Sequence, residues 1–351
     1  MPSEAGGGDR GACVSSLEPL ARVSDLSERE LIGRIHRRLP ASPDWVVVGI
    51  GDDAAVVETE RNRLEVLSVD AIVEGVHFDR AFTPPSAIGH RALAVNLSDL
   101  AAMGAAPRLA LLSLALPATL LLAELDDMIV GLAAVAARFR LAIVGGNLTR
   151  IDGPLVVDVT VIGTVKRRQS LTRAGARPGD DLYISGSIGA AAAGLQMLRA
   201  GALAKEDVSD PCIQRYLYPE PRLRLGALLG RNRAATACMD VSDGLADAVH
   251  QLADANEIGA TIEGSALPIE EGARRWFELR GQDAVNASLI GGDDYELLIA
   301  VRPRLRGRLE AARRHGDVPL TRIGSCTAGR SVVVRQDGVS RIMPPGYSHF
   351  R

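Results

Sequence analysis

The sequence predicts an α/β (α+β) fold built from two domains. Segments of helical periodicity alternate with short apolar segments over most of the 351 residues, which is typical of α/β proteins. A basic, turn-rich stretch interrupts this alternation at residues 166–181. A chain of this length is long enough for two cores of ordinary size. We therefore expect domains at residues 25–166 and 181–351, joined by a linker at residues 167–180.

The first half begins with a tail and continues with predicted helices and strands. Residues 1–24 are rich in glycine and serine, which predicts a disordered tail. Ser27 and Glu30 form a capping box that opens the first helix. Apolar residues at helical spacing predict a second helix at 86–103, which Gly104 ends. The other elements predicted here are a helix at 120–140 and strands at 45–50, 64–69, 109–116, 141–144 and 155–165.

The second half continues the alternation of strands and helices. Its predicted elements are helices at 188–199 and 245–255 and strands at 182–185, 235–239, 295–301 and 331–334. The stretch SGSIGAAAAGL at residues 185–195 has two possible interpretations. Its glycines indicate either tight packing of a helix on a strand or a loop near a phosphate.

Composition and charge exclude several classes of function. The net charge of −3 and the pI of about 6.1 provide no basic surface of the kind that binds nucleic acid. The four cysteines form no CxxC pair, which suits a reducing compartment. The N-terminus lacks the layout of a signal peptide, and the most apolar stretch, residues 109–123, is shorter than the ~20 residues that span a bilayer. We expect a soluble, cytoplasmic protein without nucleic-acid or membrane partners.

The common phosphate-binding loops are absent or unsuitable. A Walker A loop needs a Gly-Lys pair, and neither lysine, Lys166 or Lys205, follows a glycine. The stretch GIGDDA at residues 49–54 formally matches the dinucleotide fingerprint. Asp52 and Asp53 would then face the pyrophosphate that the loop must attract, so charge repulsion argues against a Rossmann site. Phosphate binding by this chain would therefore depend on metal ions, backbone amides and arginine.

Acidic and amide side chains recur near the predicted ends of strands and helices. They are Asp52-Asp53, Asp70, Asn96 with Asp99, Gly145-Gly146-Asn147, Asp240 with Asp243, and Asp293-Asp294-Glu296. Each group alone fits a turn or a solvated position. If they converge, they form a negative site that needs cations, and hard oxygen ligands favour Mg²⁺, Mn²⁺ or Ca²⁺ over zinc. Such a site suits phosphoryl transfer between two anions.

The motifs together resemble one known family. In chain order between Gly49 and Phe350 they are GIGDDAAVV, SVDAIVEGVHF, ALAVNLSDLAAMGA, LTRAGARPGD, MDVSDGL, GGDDYEL and GYSHF. This series resembles the thiamine-monophosphate kinases, which share a superfamily with aminoimidazole ribonucleotide synthetase and selenophosphate synthetase. The resemblance implies an N-terminal α/β domain that dimerises and binds ATP, and a C-terminal α/β domain. It also implies transfer of the ATP γ-phosphoryl group to thiamine monophosphate, giving thiamine diphosphate, the last step of thiamine diphosphate biosynthesis.

The resemblance assigns roles to particular residues. It implies several Mg²⁺ ions, with ligands at Asp53, Ser68, Val69 (through its main-chain oxygen), Asp70, Asp99, Asn147, Asp240 and Asp243. The positions that match ATP contacts are Gly146, Asn147, Arg173 and Ser242. The positions that match contacts to thiamine monophosphate are His77, Asp293 and Tyr347. No residue resembles a covalent nucleophile, so direct in-line transfer with ATP as co-substrate is expected.

Two departures from the family pattern leave alternatives open. Asn147 stands where the family usually has Asp, which keeps an oxygen ligand but removes its charge. Val69 stands where the family usually has Thr, so a metal contact there must be main-chain. The alternatives are another ATP-dependent enzyme of the superfamily, or an inactive homologue that binds ATP and metal.

Overall fold

The computed structural model describes residues 20–201 and 209–346. The helices of the first half are α1 (Glu28–His36), α2 (Pro85–Ala102) and α3 (Leu122–Phe139). Its strands are β1 (Val46–Val48), β2 (Val56–Val57), β3 (Arg63–Val73), β4 (Ala106–Pro117), β5 (Ala142–Ile151) and β6 (Val156–Lys166). The helices of the second half are α4 (Ala190–Arg199), α5 (Pro211–Leu217), α6 (Leu223–Asn232), α7 (Leu245–Asn256), α8 (Glu271–Glu278), α9 (Ala284–Ile290) and α10 (Arg306–Arg313). Its strands are β7 (Asp181–Ser185), β8 (Ala237–Val241), β9 (Gly259–Glu263), β10 (Glu296–Val301), β11 (Leu320–Thr327), β12 (Val332–Gln336) and β13 (Val339–Ile342).

A four-stranded sheet in the order β3-β6-β4-β5 organises the first half. Strands β4 and β5 are parallel, whereas β6 is antiparallel to β3 and to β4. Helices α2 and α3 cover one face of the sheet, where the core lies. The other face, called the outer face below, exposes Leu67, Val69 and Leu111 and carries a groove of about 540 Å³.

A seven-stranded sheet in the order β13-β12-β9-β11-β7-β10-β8 organises the second half. Its pairs are antiparallel except for β9 with β12. Strand β8, at one edge of this sheet, runs directly into the turn before α7. The two halves are therefore α/β units, as the alternation of elements predicts.

One apolar core crosses the boundary between the halves. It includes Leu100 of α2, Leu229 of α6 and Leu297 of β10. Helix α6 approaches α2 so closely that a Cβ atom on Gly226 would lie 2.0 Å from the Ala101 carbonyl oxygen. The boundary is thus a packed seam, and β8 and α2 meet there.

Strands β3 and β5 continue well beyond their predicted ends. Strand β5 was predicted to end at residue 144 but continues to Ile151, so Gly145-Gly146-Asn147 lies inside a strand. A Cβ atom on Gly146 would lie 1.8 Å from the Leu112 carbonyl oxygen, so glycine here permits close pairing and does not end the strand. Strand β3 likewise continues past Asp70 to Val73 because its full length pairs with β6.

The end of the predicted tail is packed where the structure describes it. Residues 1–19 lie outside the described residues, whereas Val23 is buried and its N–H group donates to the Leu120 carbonyl oxygen at 2.9 Å. Across residues 20–201 and 209–346, no helix has the length and apolar character needed to cross a membrane.

Candidate active site

Four carboxylates from three elements face one another at the seam. Asp70 is on β3, Asp99 is in the last turn of α2, and Asp240 and Asp243 lie at the end of β8 and just beyond it. Burial, followed by repulsion from Asp99, Asp240 and Asp243, raises the pKa of Asp70 to about 7. The pKa of Asp240 is also raised to about 7, by burial and then by Asp99. These four side chains are called the acid cluster below.

Polar side chains of α2 hold this cluster in place. The Asn96 Oδ1 atom accepts from the Asp70 N–H group at 3.0 Å, and Asn96 Nδ2 donates to the Asp70 carbonyl oxygen at 3.3 Å. The Ser98 hydroxyl donates to Asp240 Oδ2 at 2.9 Å. The Ser68 hydroxyl donates to Asp99. Helix α2 therefore fixes the first-half and second-half members of the cluster relative to each other.

Three members of the acid cluster, Asp70, Asp99 and Asp240, lack the arginine partners that other acids at the seam possess within the part of the chain that the structure describes. Within the described residues, Asp70, Asp99 and Asp240 form no ion pair with arginine, lysine or histidine. By contrast, Glu296 is bound by two arginines and Asp293 by one. Negative charges that lack compensation favour a bound cation, and their oxygens are of the type that Mg²⁺ prefers.

The cluster is not a closed ligand shell. Among residues 20–201 and 209–346, no three acidic, histidine or cysteine side chains stand close enough to share one metal ion. An ion bound here would therefore take at most two of these carboxylates directly, and water or substrate oxygens would complete its ligand shell. The Val69 side chain points to the outer face and is 58% exposed, so any contact between Val69 and a metal ion must be through its main chain.

Three predicted site residues lie away from the acid cluster. Gly146 and Asn147 are on β5, at the opposite edge of the sheet from β3, and Asn147 pairs in register with Ser113 on the outer face. Asp53 is exposed in a loop that lines the groove beside Asn147. Within one chain, the structure therefore does not bring Asp53, Gly146 or Asn147 to Asp70.

Arg173 and Ser242 lie on the second-half side of the acid cluster. Thr172 accepts a backbone hydrogen bond from Cys238 of β8 at 2.9 Å, which places the Arg173 segment beside that strand. The exposed Arg173 guanidinium donates to Gln251 of α7. Ser242 lies between Asp240 and Asp243 in the turn before α7.

His77 and Asp293 are joined through a residue that the sequence analysis did not single out. Arg91 of α2 is 2% exposed, and its Nη2 atom lies 2.5 Å from Asp293 Oδ1. Its Nη1 atom donates to the Tyr216 carbonyl oxygen at 2.8 Å, and the Tyr216 hydroxyl donates to the His77 carbonyl oxygen at 3.2 Å. The sequence feature that could have identified Arg91 is the presence of a charged residue inside the apolar run of α2. Tyr347 lies outside the described residues.

The other acids of GGDDYE are structural. Asp294 is 1% exposed and accepts from the Gly189 N–H group at 2.8 Å, at the start of α4. Glu296 is fully buried and bound by Arg215 and Arg222. A Cβ atom on Gly189 would lie 2.3 Å from Ser288 Oγ. These contacts favour the packing interpretation of SGSIGAAAAGL, since a carboxylate already occupies the helix end.

The chain matches known proteins along most of its length. Residues 51–165 match the N-terminal domain of AIR synthase related proteins and residues 177–337 match the C-terminal domain. Thiamine-monophosphate kinase of Bacillus subtilis (strain 168) is 34% identical over 318 residues, which are 87% of this chain and 94% of that protein.

Solved structures agree with this match. A thiamine-monophosphate kinase from Stenotrophomonas maltophilia K279a is 38% identical with a TM-score of 0.78, covering 90% of this chain and 98% of that one. A structure described as AaThiL complexed with AMPPCP and TMP is 31% identical with a TM-score of 0.74, covering 94% of this chain and 99% of that one. The chain therefore belongs to the thiamine-monophosphate kinase family of enzymes, within the AIR synthase related proteins.

Proposed function

We propose that this enzyme phosphorylates thiamine monophosphate to thiamine diphosphate, using ATP and Mg²⁺, by direct in-line transfer. The observation that supports the proposal is the convergence of Asp70, Asp99 and Asp240 at the seam, where they form no ion pair with any described arginine, lysine or histidine, in a chain of this family. The AaThiL structure, described as a complex with AMPPCP and TMP, supports ATP and thiamine monophosphate as the two substrates.

The acid cluster is the proposed metal site. Asp70, Asp99, Asp240 and Asp243 would hold the ions, with Ser68 and the main-chain oxygen of Val69 beside them. Bound there, Mg²⁺ would neutralise the phosphate charges of both reactants. Asn96 and Ser98 fix two of the carboxylates from α2, so the negative face is preorganised before substrates arrive.

The remaining residues divide between the two substrates. Arg173 and Ser242, on the β8–α7 side, are proposed to contact the nucleotide, where a guanidinium can grip phosphate oxygens bidentately. His77 and Asp293 are proposed to contact thiamine monophosphate, together with Tyr347. No general base is required, because a phosphate monoester with a second pKa of about 6 is largely ionised near neutral pH.

The outer face of the first-half sheet is the proposed homodimer surface. Leu67, Val69 and Leu111 are 63%, 58% and 40% exposed there, and a sheet face with this apolar character needs a partner. The face also carries the groove lined by Asp53 and Asn147. In a homodimer these two residues would lie at the subunit interface, where they would act on a nucleotide or its metal. We also propose a cytoplasmic location, where ATP is supplied.

The test of this function is turnover with defined acceptors. Purified enzyme with ATP and Mg²⁺ should release ADP in step with thiamine diphosphate when thiamine monophosphate is supplied. Asp70→Asn should reduce this turnover at least a hundredfold, since it removes one metal ligand and its charge, while the matched exposed variant Asp254→Asn retains it. Turnover with aminoimidazole precursors or selenide instead, or ATP binding without turnover, would favour the alternatives.

A further inference from the structure

Arg91 connects the two halves of the candidate site through a buried ion pair. The residue projects from α2 and reaches Asp293, which precedes β10 in the second half. Asp99 lies eight positions further along the same helix, a rise of about 12 Å. One rigid helix therefore carries both a member of the acid cluster and the partner of Asp293.

The Asp293 carboxylate is held by one oxygen only. Its Oδ1 atom binds Arg91 Nη2 at 2.5 Å and accepts from the Tyr295 hydroxyl at 3.2 Å. Its Oδ2 atom accepts no hydrogen bond from any residue in the described part of the chain, and the side chain is 29% exposed. The carboxylate is thus fixed on the protein side and open on the other side.

The backbone also holds Asp293 in an unusual conformation. Its φ angle is +71°, in the left-handed region that non-glycine residues seldom adopt, and Tyr295 has a φ of +49°. The Asp293 N–H group donates to the Ser242 carbonyl oxygen at 2.7 Å, between Asp240 and Asp243. Residues held in this region are often found at ligand sites, where surrounding contacts maintain them.

Arg91 is suited to orienting a carboxylate and unsuited to meeting a substrate. Its guanidinium carbon lies 4.8 Å from the centre of the Tyr216 ring and 6.0 Å from that of Tyr295, and almost none of the side chain reaches solvent. A buried arginine in this setting holds its partner in one rotamer, because its fork is planar and the two rings restrict it.

We propose that Arg91 is a positioning residue that turns Asp293 Oδ2 toward the phosphoryl acceptor. This inference rests on the proposed function for the identity of that acceptor. An open carboxylate oxygen attracts donors and cations and repels phosphate. Thiamine monophosphate carries a cationic thiazolium ring and an aminopyrimidine, so Asp293 faces that organic part of the acceptor and not its phosphate.

The kinetic test separates the two substrates. Arg91→Lys keeps the charge and loses the fork, so KM for thiamine monophosphate should rise about tenfold or more, as expected for loss of a charged hydrogen bond. KM for ATP should stay within twofold, because Asp293 is joined to the proposed nucleotide residue Ser242 by a main-chain hydrogen bond, which the substitution leaves in place. Tyr295→Phe removes the second donor without touching the buried charge and should raise the acceptor KM about threefold. If Arg91→Lys folds poorly, the Tyr295→Phe variant still tests whether the orientation of Asp293 affects the acceptor KM.

Arg222→Lys is the matched control. Arg222 is also a largely buried arginine bound to a buried carboxylate, Glu296, but this pair does not include Asp293. The control should lower Tm and leave both KM values unchanged. A structural role of Arg91 would likewise lower Tm without separating the two KM values, and that result would overturn the proposal.

Crystal structures of these variants provide a reading that needs no turnover. Asp293 should leave its rotamer in Arg91→Lys and keep it in Arg222→Lys. An unchanged Asp293 rotamer in Arg91→Lys would refute the positioning role. If the rotamer moves but the wild-type enzyme does not phosphorylate thiamine monophosphate, the positioning role stands and the proposed function fails.

Discussion

At the scale of single residues, Asp294 illustrates an acid retained for packing at an electrostatic cost. Burial raises its pKa to about 7, against opposing hydrogen bonds from the N–H groups of Gly189 and Ala191. The folded state therefore binds this proton more tightly than the unfolded state, for which an Asp pKa near 4 applies. The stability that this group contributes should be complete at low pH and should fall as pH rises from about 4 to about 7, by up to about 4 kcal/mol. In Asp294→Asn we expect this fall to be absent.

Chemical denaturation at a series of pH values checks this expectation. The difference in free energy of unfolding between Asp294→Asn and wild type should increase in favour of the variant from pH 5 to pH 8. A difference that is constant over this range would show that Asp294 does not titrate as its burial suggests.

At the scale of elements, the contact between α2 and α3 depends on two glycines. A Cβ atom on Gly89 would lie 1.8 Å from the Met128 carbonyl oxygen, and one on Gly131 would lie 2.0 Å from the Ser86 carbonyl oxygen. A methyl group at either site must separate helices that position Asp99 and Arg91. We expect Gly89→Ala to destabilise the protein by about 1–3 kcal/mol, the usual cost of overpacking.

Gly307→Ala is the matched control, since Gly307 lies in α10 with no other group near its Cβ position. Alanine there should leave Tm unchanged or raise it slightly, because alanine is the better helix former. Thermal unfolding of both variants decides the question, and equal Tm values for both would contradict the close packing of α2 on α3.

At the scale of the whole molecule, the exposed outer face sets the expected assembly. Leu111 lies in the middle of this face, so Leu111→Glu should place a charge in the proposed interface and convert the proposed dimer to a monomer. Sedimentation velocity measures the change. Leu279→Glu alters a more exposed leucine, 84% accessible at the end of α8, and should leave the association unchanged. If the wild-type protein is a monomer, or if the Leu111→Glu variant is still a dimer, the outer face is not the homodimer interface.

The parts of the fold with strong local signals were predictable from the sequence. Helix α2 was predicted at 86–103 and is found at Pro85–Ala102, because its apolar period is regular and Gly104 adopts a φ of +68°. The capping box of Ser27 and Glu30 is confirmed by both of its hydrogen bonds. The extent of β5 was not predictable, because pairing with β4 is a long-range property that no local glycine pattern reveals.

The candidate site was predictable only in part. Patterning placed Asp70, Asp99 and Asp240 near the ends of elements, and the structure brings them together. Residue patterning alone could not separate Asp293 from Asp294, since neighbouring acids look alike until their partners are known, and only the family resemblance distinguished them. Arg91 was missed because a buried ion pair needs a partner some two hundred residues away, which spacing along the chain cannot indicate.

The packed seam has consequences for domain motion during catalysis and for thermal unfolding. Leu100, Leu229 and Leu297 belong to one apolar core. Separating the two halves would therefore expose this core to water, which opposes a hinge motion between them. Substrates would then bind at an acid cluster that is already assembled. Any closing movement would be limited to the loops around it. Heating should accordingly give one calorimetric peak for the two lobes, and cutting the chain between them should leave the fragments bound to each other.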